Sequence, residues 1–271
     1  MKDAFSDTIN SALWQEVAEA DDPYSAAVCR AGGYDVYGDL LGKASYIAYL
    51  YLLFRGERPA ASQARALELL AIALANPGPR DPSVHAAMAT GVSGTPAAAS
   101  LIAALAPGAG SHGGAREVLL AMQAWQQHGR KLANWEAALA APPEPTRSGV
   151  WPHPEHPPGF APYGASCATP VRQTLALLAA TLPDSYCDWL ERHRHQLEAA
   201  AGRPLAMTGV AACALLDLGF DPAAGEMLTL MLRLPGAAAH ALEQQRLGFR
   251  QFPFFSLDLG NDPGPATKER A

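Results

Sequence analysis

The chain has 271 residues, enough for one large domain or two small ones with a real hydrophobic core. Charged residues make up 17% and the hydrophobic set 49%, which excludes a largely disordered chain. The net charge of −6 excludes a sequence-independent nucleic-acid binder, which needs a basic surface. About a fifth of the residues are alanine while Val, Ile and Thr are sparse, a balance that favours helix. The longest apolar run, residues 44–54, is roughly half of what a bilayer crossing needs. The start, MKDAFSDTIN, has no basic-then-apolar signal pattern. Cys29, Cys167, Cys187 and Cys213 are scattered without a CxxC pair, as suits reduced thiols. The expectation is a soluble, helical, cytoplasmic protein with no membrane or nucleic-acid partner.

Residues 45–56 read as a helix apolar almost all round, closed by Gly56 and Pro59, of the kind that lies in a core or a subunit interface. Residues 61–75 follow with Leu67, Leu70, Ile72 and Leu74 at helical spacing, and NPGPRDP ends them. Two Ala- and Gly-rich helices are predicted at 83–90 and 96–106. PGAGSHGGA then forms a glycine-dense turn that opens an amphipathic helix over 116–127, with a shorter helix at 132–141. Residues 142–170 are dense in Pro and Gly with isolated aromatics and histidines, and read as a long irregular loop. Helices resume at 171–181, 185–200, 208–218, 222–234 and 236–246, and the tail from Asn261 reads as frayed. No strand pattern is visible beyond the short run RQFPFFSLDL. The predicted fold class is all-α.

The turn SHGGARE, followed by an apolar helix, resembles the citrate synthase superfamily, in which an HGGA turn begins a helix at the acyl-CoA site. GYDVYGDLLGKASYIAYLYLLFRGERP resembles that family's N-terminal segment. HALEQQ at 240–245, followed by FRQFPFF, resembles its C-terminal helix and exit strand. The spacing from Asn76 to Ala115 resembles that between the Asp-His-Gly motif and the Gly-Gly-Ala turn in the citryl-CoA lyase module of ATP-citrate lyase. The matches run in order from about Gly32 to Phe255.

The resemblance implies an all-α, citrate-synthase-like homodimer. Residues 1–115 and 216–271 would form a large domain, and 116–215, with the Pro-rich loop 142–170, a smaller inserted one. The site would lie in the cleft between them, with His112 on its wall. The implied chemistry makes or breaks a carbon–carbon bond next to a CoA thioester. The partners would be a small acyl-CoA or a carboxylic acid, with CoA entering as substrate and no bound cofactor or metal.

That chemistry needs a base at the carbon beside the thioester and a donor for the charge that develops on the thioester oxygen. The family meets these demands with histidines in Asp-His-Gly, HGGA and Gly-Phe-Gly-His-Pro motifs and an Asp in an Asn-Val-Asp motif. Here the first reads Asn76-Pro77-Gly78, and the HGGA histidine is kept as His112. The third reads Gly159-Phe160-Ala161-Pro162-Tyr163, and Met207 or a neighbour stands where the carboxylate belongs. Three of four groups are therefore absent, and ordinary citrate synthase or citryl-CoA cleavage is expected to be very weak or absent.

His112 is the catalytic candidate, against a turn histidine that only caps its helix. His85 follows the lost Asp-His-Gly position by one short helix. His153 and His156 lie upstream of Gly159, either swung into the cleft or solvated among prolines; a metal site on HPEH lacks a rigid ligand face. Arg172 falls about where the family has an Asp-Pro-Arg and would meet CoA phosphate or a substrate carboxylate, and Arg250 lies near an arginine that the family sends to the partner's site. For both, the other reading is a surface arginine. His193 and His195 read as a solvated helix face, and Cys167 as an inert thiol. Two functions stand open: a lyase or acyltransferase with altered catalytic residues, and a non-catalytic homologue acting as a ligand-binding regulator or assembly partner.

Overall fold

The computed structural model describes residues 8–140 and 156–254. His153, the first part of the Pro-rich segment, the exit run beyond Phe254 and the C-terminal tail lie outside the described residues. The all-α expectation holds for the body of the chain, with one correction at its start. Four short strands, β1 (Thr8–Asn10), β2 (Trp14–Ala18), β3 (Ala26–Ala31) and β4 (Tyr34–Asp35), form an antiparallel sheet in sequential order. Adjacent antiparallel strands need only tight turns, and Asp22 and the Gly32–Gly33 pair supply them. The sheet leads into a π-helical turn, Val36–Leu40, capped by the Asp35 carboxylate, which accepts from the amides of Tyr37 and Gly38.

Ten α-helices follow among the described residues. α1 (Tyr46–Arg55) starts where Ser45 accepts from the Ala48 amide at 3.1 Å, and ends at Gly56 in the left-handed conformation. α2 (Ala61–Ala75), α3 (Pro82–Val92), α4 (Ala97–Gly108), α5 (Ala115–His128) and α6 (Leu132–Ala140) come next. α7 (Thr169–Thr181), α8 (Tyr186–Ala201), α9 (Met207–Asp217) and α10 (Pro222–Leu247) complete the set. Among the described residues no helix is long and apolar enough to cross a membrane.

α10 corrects a second expectation, that of separate helices at 222–234 and 236–246. One helix of 26 residues runs through, with Pro235 inside it. Proline forfeits a backbone hydrogen bond and normally breaks a helix. Burial on both sides overrides that preference: Leu232, Arg233, Gly236 and Ala237 are all buried, and Gly236 lies against the Ala75 carbonyl so closely that a Cβ would collide.

α5 packs between α9 and α10 near the centre of the molecule. The main core gathers Leu67 and Leu70 of α2, Val118 and Met122 of α5, Leu175 of α7 and Leu190 of α8 around the almost wholly buried α9. It therefore joins residues on both sides of position 116. A smaller cluster, Val84, Ala87, Met88, Ala104, Ala237 and Ala241, cements α3, α4 and α10. Its small side chains let these helices approach closely, as the composition of 83–106 predicts.

Candidate functional site

The glycine-rich turn places His112 two residues before Gly114, the N-cap of α5. His112 is exposed, and its Nδ1 lies 3.4 Å from the Ser111 hydroxyl. Gly114 has no side chain to cap the helix, so the first-turn Glu117 reaches back and accepts from the Gly113 amide at 2.5 Å. The Gly113 carbonyl in turn accepts from Arg233 of α10 at 2.7 Å. Arg233 also pairs with Asp81, the N-cap of α3. The turn carrying His112 is thus gripped through both of Gly113's peptide groups.

Glu117 is only 1% exposed, and burying a carboxylate costs several kcal/mol unless donors replace water. Four groups do so. Oε2 takes the Gly113 amide and faces His156 Nε2 at 3.4 Å, while Oε1 accepts from the Gly159 amide at 3.0 Å and the Thr208 hydroxyl at 2.7 Å. One carboxylate therefore joins the His112 turn, the end of the Pro-rich loop and the start of α9. Glu117 is not among the residues that the sequence singles out. A signal was present, since residues 117, 121 and 125 fall on one helical stripe and the other two, Ala121 and Trp125, are apolar and buried.

The loop end is fixed to α9 by backbone bonds. The Ala161 amide donates to Pro204 O at 2.7 Å and the Ala206 amide to Gly159 O at 2.9 Å, around a single bridge between Phe160 and Leu205. Gly159, at φ +91°, crosses Gly209 so closely that a Cβ on the former would sit 2.9 Å from the Gly209 Cα. This crossing draws His156 inward. Its side chain is buried, against the solvated alternative, and its ring centroid lies 6.0 Å from that of His112. His156 Nδ1 is buried with no hydrogen-bond partner among the described residues, a condition that ordinarily costs about 1–3 kcal/mol.

Of the predicted site residues, the structure therefore brings His112 and His156 together. His85, on α3, rests its ring against Phe252 at 5.2 Å. Arg172 stands in the first turn of α7, donating to Thr169 Oγ1 at 3.0 Å. It opens onto a separate concavity of about 600 Å³ with Arg194, His195, Glu198, Arg203 and Cys167. Arg250 is exposed in the 3-10 turn Phe249–Gln251. None of three concavities on the described surface is lined by His112. Met207, where the family's carboxylate was expected, packs on the main core. Asn76 accepts from the Gly78 amide and lies 3.2 Å from His240 Nε2.

The histidines of α8 divide. His195 is exposed as expected, whereas His193 stacks on Trp189 with centroids 4.2 Å apart. Burial, with Glu198 nearby, pushes the Cys167 thiol above its ordinary value, the direction that disfavours the thiolate. Cys187 and Cys213 are pushed well up by burial in the core.

The helix order, the glycine turn opening α5 and the long C-terminal α10 define a citrate synthase-like fold of the kind seen in citryl-CoA lyase. No protein-family profile matches the sequence, and no curated protein matches it. Among solved structures, citryl-CoA lyase from Hydrogenobacter thermophilus is similar over 93% of this chain and 95% of its own, with a TM-score of 0.68 and 19% identity. ATP citrate lyase from Methanothrix soehngenii, solved with citrate and coenzyme A, is similar over 88% of this chain and 39% of its own, at TM-score 0.65 and 17% identity. A mutant ATP citrate lyase from Methanosaeta concilii, solved with (3S)-citryl-CoA, shows the same coverage at TM-score 0.65 and 16% identity.

Proposed function

We propose that the protein makes or breaks a carbon–carbon bond beside a CoA thioester, as a citryl-CoA lyase-like enzyme with altered catalytic residues. The observation that carries this reading is the exposed His112 at the start of α5, in a turn held by Arg233 and Glu117 within a fold shared with citryl-CoA lyase. A donor fixed in this way stabilises charge developing on a thioester oxygen without reorganising during the reaction. The arginines around the concavity of Arg172, Arg194 and Arg203 suit the phosphates of a CoA ligand, which favours this reading.

The test mixes the protein with citryl-CoA and follows acetyl-CoA, then with acetyl-CoA and oxaloacetate and follows free CoA. Slow turnover is expected, falling about 10²–10³-fold in His112→Ala. Thermal melting with CoA should show a raised Tm. Absence of both turnover and a CoA-dependent shift would overturn the reading. A shift without turnover would transfer the assignment to a ligand-binding regulator.

The active form is inferred to be a homodimer. Ile102 on the Ala-rich α4 and Met227 and Met231 on α10 are exposed apolar side chains on two helices that pack against each other. A second copy covering them removes that surface from water. Light scattering at micromolar concentration is expected to give twice the 28.5 kDa chain mass, and a single-chain mass would overturn the claim.

A further inference from the structure

We propose that His156 is the base of this site, with Nδ1 the atom that takes the ligand's proton, and that Glu117 is the positioning residue that holds it. The substrate class rests on the thioester reading above; the pairing of the two residues does not.

The hydrogen-bond inventory sets the direction. Glu117 already accepts from two amides and a hydroxyl, which leaves it as an acceptor toward His156 Nε2. In neutral imidazole the proton then sits on Nε2, and Nδ1 carries the free lone pair. Nδ1 is buried with no hydrogen-bond partner among the described residues, and its ring is the neighbour of the exposed His112 ring, 6.0 Å away. Buried polar atoms are paired almost everywhere in native proteins, and a catalytic role is one of the few physical reasons for an exception. The 3.4 Å separation from Glu117 is long, as such contacts often are before a ligand tightens them. The pair also answers the loss at Met207. The carboxylate that the start of α9 lacks arrives from α5, bonded to Thr208.

For a thioester with a hydroxyl on its β-carbon, the hydroxyl proton passes to Nδ1 and the oxygen's electrons form a ketone. The bond between the α- and β-carbons breaks, and its electron pair moves into the thioester as an enolate, whose oxygen accepts a hydrogen bond from His112. The proton on Nδ1 then returns to the α-carbon. The products are a ketone and a shortened acyl thioester, with no outside oxidant, reductant or proton source.

Nitrogen-15 NMR of histidine-labelled full-length protein tests the pairing without any substrate. His156, assigned by the signal lost in His156→Asn, is expected in the Nε2–H tautomer. In Glu117→Gln the carboxamide offers an N–H toward Nε2, so the proton should move to Nδ1. An Nδ1–H tautomer in the wild type, or no change in a Glu117→Gln protein that melts cooperatively, would overturn the pairing. With citryl-CoA, His156→Asn is expected to lower kcat about 10²–10⁴-fold, while KM stays within about twofold. Turnover that survives in His156→Asn overturns the base assignment alone. A wild type inert toward every thioester overturns the substrate reading and the base role together, and the tautomer measurement then decides the pair separately.

Discussion

Replacing Glu117 with alanine should lower the unfolding free energy by about 3–5 kcal/mol, the range seen when one member of a buried polar pair is removed. The residue is 1% exposed, and its carboxylate serves three donors and faces the His156 ring, across three segments. Without it the Gly113 and Gly159 amides, the Thr208 hydroxyl and the His156 ring all lose their common acceptor. Urea unfolding measures the loss as a lower midpoint at constant slope. A loss below about 1 kcal/mol would mean that water reaches these donors, because only solvation replaces an acceptor so cheaply.

Arg233→Met should cost about 3 kcal/mol, the lower end of the same range. Arg233 is 8% exposed and bridges Asp81 and the Gly113 carbonyl. Asp81 keeps its bonds to the Ser83 amide and hydroxyl, so its charge is not stranded, and this places the cost at the lower end. A double-mutant cycle with Asp81→Asn is expected to give a coupling between about 0.5 and 3 kcal/mol, whereas additive losses would show that the two act separately. In functional assays the same substitution should act through the His112 turn, which loses its tie to α10.

Most helices were legible because their ends carry local chemistry. Ser45 and Gly56 bound α1, Asp221 with Pro222 opens α10, and NPGPRDP separates α2 from α3. The N-terminal sheet was not, since WQEVA and AAVCRA mix apolar and polar residues and few of its positions are buried. Its pairing comes from neighbouring strands and tight turns, which a window-by-window reading does not see. Pro235 misled for a related reason: a strong local breaker was overruled by contacts with Ala75 and Asn76, 160 residues away on the order of chain separation.

The site was half legible. His112 stands out through its glycines, and the turn indeed opens α5. His156 looks solvated among prolines, and only the backbone bonds of 159–161 to 204–206 carry it into the interior. Glu117 requires knowing that three segments remote in sequence converge on one carboxylate, and no spacing along the chain encodes that.

The crossing of Gly159 and Gly209 limits how this protein can evolve. A methyl group added at 209 would lie 2.5 Å from the Gly159 oxygen, and one added at 159 would strike the Gly209 backbone. Neither position can therefore accept a larger residue while the other strand of the crossing stays where it is. The glycines at 159 and 209 are thus demanded by the geometry of the crossing itself, and their presence carries no vote on whether the chain catalyses anything.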